Sequence, residues 1–160
     1  ELETIDLEFF FPTTDRISFD LKPWLKEELF LLEKDFREKV KNFDWKSFDN
    51  KAVFIICSND AIIPDWAFIL VSSSLNNEGI INVIGSKEIL DIKLITDSIS
   101  AFDFSIYKGK PVIIKGCSDQ KIPLSAYSVL LEKLQHQAKS IMFGEACSSV
   151  PIYKSLKKSN

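Results

Sequence analysis

The sequence predicts an α/β fold: a mostly parallel sheet of 4–5 strands with helices on both faces, built from βαβ units. Three observations point there. Short, continuously apolar runs at Ala52–Ile56, Ile80–Ile84 and Pro111–Lys115 have the character of strands buried on both faces. Longer helical patterns separate them, at Pro64–Leu75, Ser86–Ala101 and Pro123–Lys139. Strands alternating with helices of roughly ten to sixteen residues imply right-handed crossovers and a parallel sheet.

Taken in order, residues 1–22 read as an extended N-terminal arm, with Arg16–Leu21 as an alternating edge strand and Pro12 and Pro23 as punctuation. Lys22 to Phe43 predicts the first helix, because Leu25, Leu29, Leu32, Phe36 and Val40 recur at three- and four-residue steps. Pro64 and Pro123 suit the first turns of the second and fourth helices, and Asn76-Asn77-Glu78-Gly79 ends the second. In the third helix Ile89, Leu90, Leu94, Ile95 and Ile99 are expected to point inward. Ser140–Phe143 predicts a further strand, and 154–160 a loose basic tail. No linker or low-complexity segment interrupts the chain, so residues 1–160 read as one α/β domain.

All three cysteines sit in the pair Cys-Ser, at Cys57-Ser58, Cys117-Ser118 and Cys147-Ser148. The first two share more: a β-branched run ends in Cys-Ser, passes a polar turn and restarts as a helix at Ile63-Pro64 and Ile122-Pro123. An internal duplication would explain that likeness. In open α/β sheets, ligands bind beyond the carboxyl ends of the strands. Cys57 and Cys117 are expected just past such ends, and Cys147 four residues beyond another. Neighbouring strand ends lie about 5 Å apart, a gap that short loops could close to the separation of about 4 Å that sulfurs sharing one zinc require.

The leading functional reading is therefore a thiolate metal site of Cys57, Cys117 and Cys147, holding zinc or an iron–sulfur cluster. Asp60, Asp119 and Glu145 lie near the thiols in sequence and are the candidate oxygen ligands. The lone histidine, His136, falls far down the fourth helix and is a poor fourth ligand. Two alternatives compete. One cysteine could be a nucleophile or persulfide carrier in an enzyme. Equally, the thiols could be packing residues in a non-catalytic interaction scaffold. A β-class carbonic anhydrase motif, Cys-x-Asp-x-Arg, is excluded, since the only arginines are Arg16 and Arg37.

Bulk composition narrows the classes. Hydrophobic residues make up 46% and charged residues 27%, as in an ordinary folded protein. A net charge of −3 gives no basic field to attract nucleic acid. No apolar run approaches the ~18 residues that span a bilayer, and the acidic start lacks a signal-peptide pattern. An odd cysteine count does not suit a disulfide framework, so the cytoplasm is the expected compartment.

Several strings together resemble a known family. They are Phe19-Asp20-Leu21-Lys22, Glu33-Lys34-Asp35-Phe36-Arg37, Cys57-Ser58 with Asp60-Ala61-Ile62 and Pro64, Trp66-Ala67, and Lys115-Gly116-Cys117-Ser118. Ala138–Met142, Gly144-Glu145, Cys147-Ser148, Val150-Pro151 and Tyr153-Lys154 complete the set. Over nearly its full length the chain resembles the bacterial domain-of-unknown-function family DUF2480. The resemblance brings no established activity. It implies genome neighbours among iron–sulfur assembly systems, and hence iron–sulfur assembly proteins as partners.

Overall fold

The structure, a computed structural model, describes residues 1–116 and 118–156. The chain forms two compact units: a central unit, Thr13–Lys93, and a split unit made from both ends of the chain, Glu1–Pro12 with Leu94–Asn160. Each is a mixed α/β body with its own sheet and its own core. Among the described residues no helix is long and apolar enough to cross a membrane.

In the central unit, β2 (Asp15–Asp20), β3 (Lys51–Ile56) and β4 (Asn82–Ile84) form a three-stranded parallel sheet in that order. Helix α1 (Glu33–Asn42) lies in sequence between β2 and β3, and α2 (Asp65–Asn77) between β3 and β4. Phe36 and Val40 of α1, and Ala67, Val71 and Leu75 of α2, are buried at four-residue steps, so each helix turns one stripe into the core. Pro64 caps α2 in extended conformation, which its fixed φ favours. The core is strongly aromatic. Phe19 of β2 has ring centroids of Trp24, Phe43, Trp45 and Phe48 within 5.1–6.2 Å.

One buried polar side chain interrupts this core. Asn82 is 8% exposed, and its Oδ1 accepts from Ser72 Oγ (2.6 Å). Its Nδ2 donates to Asn76 Oδ1 (2.7 Å) and to the Ile80 carbonyl (2.9 Å). The network fastens the end of α2 to the start of β4, and every member is satisfied. Asn82→Ala removes three bonds and leaves the Ser72 and Asn76 partners unmatched, so a loss of about 1–3 kcal/mol is expected. A urea unfolding curve followed by tryptophan fluorescence measures it.

In the split unit, β1 (Glu3–Ile5), β5 (Pro111–Ile114) and β6 (Ser140–Glu145) run parallel, and β7 (Ser148–Lys154) closes the sheet antiparallel to β6. Helix α3 (Lys87–Ala101) enters this unit at Leu94, and α4 (Leu124–Leu134) joins β5 to β6. Ile95 and Ile99 of α3 and Ala126, Leu130 and Leu134 of α4 fill its core.

The two units share a local grammar. Ile5-Asp6-Leu7 and Phe19-Asp20-Leu21 each end a first strand and enter a 3-10 turn, and in each Asp Oδ1 accepts a backbone N–H two residues on at 3.0 Å. Phe43-Asp44-Trp45 and Phe102-Asp103-Phe104 each lead through a second 3-10 turn to a left-handed residue, Asn50 (φ 64°) or Gly109 (φ 71°). The strand that pairs with the first follows within two residues in both cases, β3 at Lys51 and β5 at Pro111.

Several expectations are corrected. The single sheet of 4–5 strands is two sheets of four and three strands, because β5 pairs with β1 instead of continuing from β4. The pairing is mostly parallel, as expected, with β7 antiparallel to β6. Within residues 1–22, the edge strand expected at Arg16–Leu21 is present as β2, and Glu3–Ile5 adds a further edge strand, β1, to the arm that was expected. Of the tail, Lys154 belongs to β7, and residues 157–160 lie outside the described residues. The helix expected from Lys22 begins only at Glu33. Before it, Pro23 sits in a 3-10 turn and the chain reverses at Lys26–Phe30 through two left-handed residues, Glu27 (φ 53°) and Glu28 (φ 58°). Leu29 and Leu32 are exposed in consequence, and Ile89 of α3 is exposed as well.

Candidate functional site

The carboxyl end of β3 carries the first candidate residues. Cys57 is half-buried, and its Sγ donates to Asn59 Oδ1 (3.1 Å), which also accepts from the Ala61 backbone N–H (3.2 Å). Asn59 Nδ2 reaches back to the Glu28 carbonyl in the left-handed turn. On the neighbouring strand, Asp20 Oδ1 accepts the Ser58 N–H at 3.0 Å as well as that of Lys22. Burial raises the Asp20 carboxyl, but hydrogen bonds from Ser58 and Lys22 outweigh it and hold the group below its ordinary value. Asp60 shares this loop and is exposed.

In the split unit, Cys117 lies outside the described residues, while its neighbours do not. Gly116 is packed so tightly that a Cβ there would meet the Gly144 Cα at 3.2 Å and the Phe143 ring at 3.4 Å. Gly144 and Glu145 end β6, and a two-residue turn, Ala146-Cys147, leads into β7 with Glu145 paired to Ser148. Cys147 therefore occupies the tip of a hairpin, exposed, rather than a loop four residues beyond the strand. Glu145 is exposed beside it. Beyond Cys117, Glu8 Oε1 accepts from Ser118 Oγ (2.7 Å) and from the Gln120 N–H. Those bonds, Ser118's foremost, lower the Glu8 carboxyl from its usual range. Asp119, between them, is exposed.

Close to this corner is a small cavity of about 180 Å³ lined by Ile114, Leu124, Tyr127, Leu131, Phe143 and Ile152. Its wall is entirely apolar, and Phe143 serves both as its lining and as the neighbour of Gly116.

The candidate ligands thus fall into two groups. Cys57 and Asp60 share one loop of the central unit. Asp119, Glu145 and Cys147 belong to the split unit, where the segment entering Cys117 runs against the strand that ends in the Cys147 hairpin. Among the described residues no three His, Cys, Asp or Glu side chains gather closely enough to hold a metal ion, a statement that leaves Cys117 aside. Cys57 and Cys147 are free thiols. Sequence reasoning did not single out Asn59, Asp20 as a loop anchor, Glu8, or the Gly116–Gly144 approach. The recurrence of Asp-Leu after β1 and β2 was the available signal for the anchors.

A family model described as protein of unknown function, DUF2480, matches residues 1–155. The chain belongs to this family. No curated protein and no solved structure matches this DUF2480 chain. Almost everything described above lies within the matched span, including both Cys-Ser loops, the Cys147 hairpin and the two anchoring carboxylates.

Proposed function

We propose that this DUF2480 protein is a thiolate metal-site protein, holding zinc or an iron–sulfur cluster, and works as an accessory factor in iron–sulfur or sulfur metabolism. The observation that supports it is the approach of Gly116 to Gly144, at 3.2 Å from a notional Cβ. A side chain at Gly116 would crowd the Gly144 Cα and the Phe143 ring, so glycine suits the point where the chain passes the strand that ends in the Cys147 turn. Cys117 and Cys147 are the nucleus of the proposed site, Cys57 its third sulfur, and Asp60, Asp119 and Glu145 its oxygen donors. Soft thiolates suit zinc or iron–sulfur chemistry and disfavour hard cations such as magnesium. An internal duplication accounts for the two Cys-Ser loops. A reducing cytoplasm would keep the thiols available, and iron–sulfur assembly proteins are the proposed partners.

The test is metal and acid-labile sulfide content, with a visible spectrum, on anaerobically purified protein. Near-stoichiometric zinc or iron is expected in the wild type and its loss in Cys57→Ala, Cys117→Ala and Cys147→Ala alike. Metal-free wild type overturns the reading. Retention of metal in Cys57→Ala alone would remove Cys57 from the site and leave the split unit as its home.

A further inference from the structure

Both Cys-Ser loops are tied down immediately after the cysteine, and by the same kind of group. In the central unit the tie is Asp20, at the end of β2, accepting the Ser58 N–H at 3.0 Å. In the split unit it is Glu8, just past β1, accepting from Ser118 Oγ at 2.7 Å and from the Gln120 N–H. The strands bearing these carboxylates are equivalent, each being the parallel neighbour of the strand that leads into Cys-Ser. The residues are not equivalent: Asp6, the counterpart of Asp20, faces the Lys115 ammonium at 3.5 Å instead, and Glu8 reaches the loop from two residues further on. One restraint is therefore built twice by different routes, which sets it apart from an incidental turn bond.

The central loop has a second tie. Asn59 Oδ1 takes the Cys57 thiol hydrogen, and Asn59 Nδ2 is itself held by the Glu28 carbonyl. That carbonyl sits in a turn with two consecutive left-handed glutamates, a conformation that non-glycine residues adopt at a cost. The backbone is thus committed to an unfavourable shape at the place that orients the amide aimed at the sulfur.

We propose that Asp20 and Asn59 are positioning residues that hold the Cys57 thiol at the carboxyl end of β3, and that Glu8 does the corresponding work for the Ser118–Gln120 segment. The inference rests on the reading of Cys57 as a ligand, and adds the residues that place it. Neither Asp20 nor Asn59 is a ligand in this scheme. Asp20 fixes the backbone one residue past the thiol, and Asn59 fixes the direction of the S–H bond. A charge-assisted bond of this kind restrains loop opening by on the order of tenfold or more.

The experiment is site-resolved alkylation of the reduced, metal-free full chain with iodoacetamide, read by mass spectrometry as the ratio of the Cys57 rate to the Cys147 rate. Cys147 is exposed on its hairpin and serves as the internal reference. Asp20→Ala and Asn59→Ala are each expected to raise the ratio roughly tenfold. Asp20→Asn keeps an acceptor oxygen and is expected to stay within about twofold of wild type. An unchanged ratio in both alanine variants overturns the proposal, as does an Asp20→Asn ratio equal to that of Asp20→Ala. Should Asp20→Ala fail to fold, Asn59→Ala and Asp20→Asn still decide it. Because the sample carries no metal, a metal-free wild type would refute the metal reading and leave this result standing or falling by itself.

Discussion

Gly144→Ala is expected to lower the stability of the split unit by about 3 kcal/mol or more. Two costs combine. Gly144 has φ 126°, a conformation essentially reserved for glycine, and strain of that kind costs about 1–3 kcal/mol. An added Cβ would also lie 2.5 Å from the Ser148 carbonyl oxygen and 3.2 Å from the Ser149 Cα. Both are backbone atoms of the facing strand, so no side-chain rotation relieves the clash, and the hairpin must open. Gly109 of the same unit is the control, with φ 71° and nothing within 4 Å of a notional Cβ; Gly109→Ala should cost only about 1–2 kcal/mol. The tyrosines make the measurement selective, because Tyr107, Tyr127 and Tyr153 all belong to the split unit. A fall of about 12–24 °C in the tyrosine-detected transition corresponds to this loss in a unit of this size. Equal shifts for Gly144→Ala and Gly109→Ala would contradict the close approach at the Cys147 hairpin.

Phe19→Ala is expected to cost the central unit about 3–5 kcal/mol, the range for truncating a buried aromatic. Phe19 is 4% exposed and is the hub of the ring cluster formed with Trp24, Phe43, Trp45 and Phe48. Its removal forfeits the apolar area and the edge-to-face and tilted ring contacts together. It also opens a cavity beside the end of β2, where Asp20 is the next residue. All three tryptophans, Trp24, Trp45 and Trp66, lie in the central unit, so their fluorescence reports that unit selectively. A shift of about 12–40 °C in the tryptophan transition is the expected size for a unit of this length. A shift under about 2 °C would mean that the ring cluster repacks without its hub.

The middle of each unit was legible because its residues say one thing at every level. β3 and β5 are uninterrupted apolar runs, and α2 and α4 bury residues at strict four-residue steps after an entering proline. The ends were not. β1 is three residues long, too short for a period to show, and it is stabilised by β5 more than a hundred positions away. β7 carries Pro151 and a register shift near Ile141, both of which blur a strand signature. Of the helix expected at Lys22–Phe43, Glu33–Asn42 is present; its false first half arose because Leu25, Leu29 and Leu32 fit a 3.6-residue period. The turn that breaks it uses Glu27 and Glu28, residues that give no sign of left-handed backbone. At the site, the cysteines announced themselves through repetition. Asp20, Asn59 and Glu8 did not, since aspartate, asparagine and glutamate are common in turns and only spatial neighbours distinguish an anchor from a cap.

The arrangement of the split unit has a consequence for how the chain is made. β1 leaves the ribosome well before its pairing partner β5, which follows only after the whole of Thr13–Lys93. At about 5–20 residues per second the wait is on the order of 5–20 s. The central unit has all three of its strands and can collapse within that interval, while Glu3–Ile5 stays unpaired with its backbone groups in water. Maturation of the protein is then ordered in time: the Cys57 loop takes shape on a finished body before the strand that supports Glu8 has anything to bind. Closing so long a loop adds entropic cost and slows the final step, so the nascent chain passes through a half-built state whose early thiol is Cys57 alone.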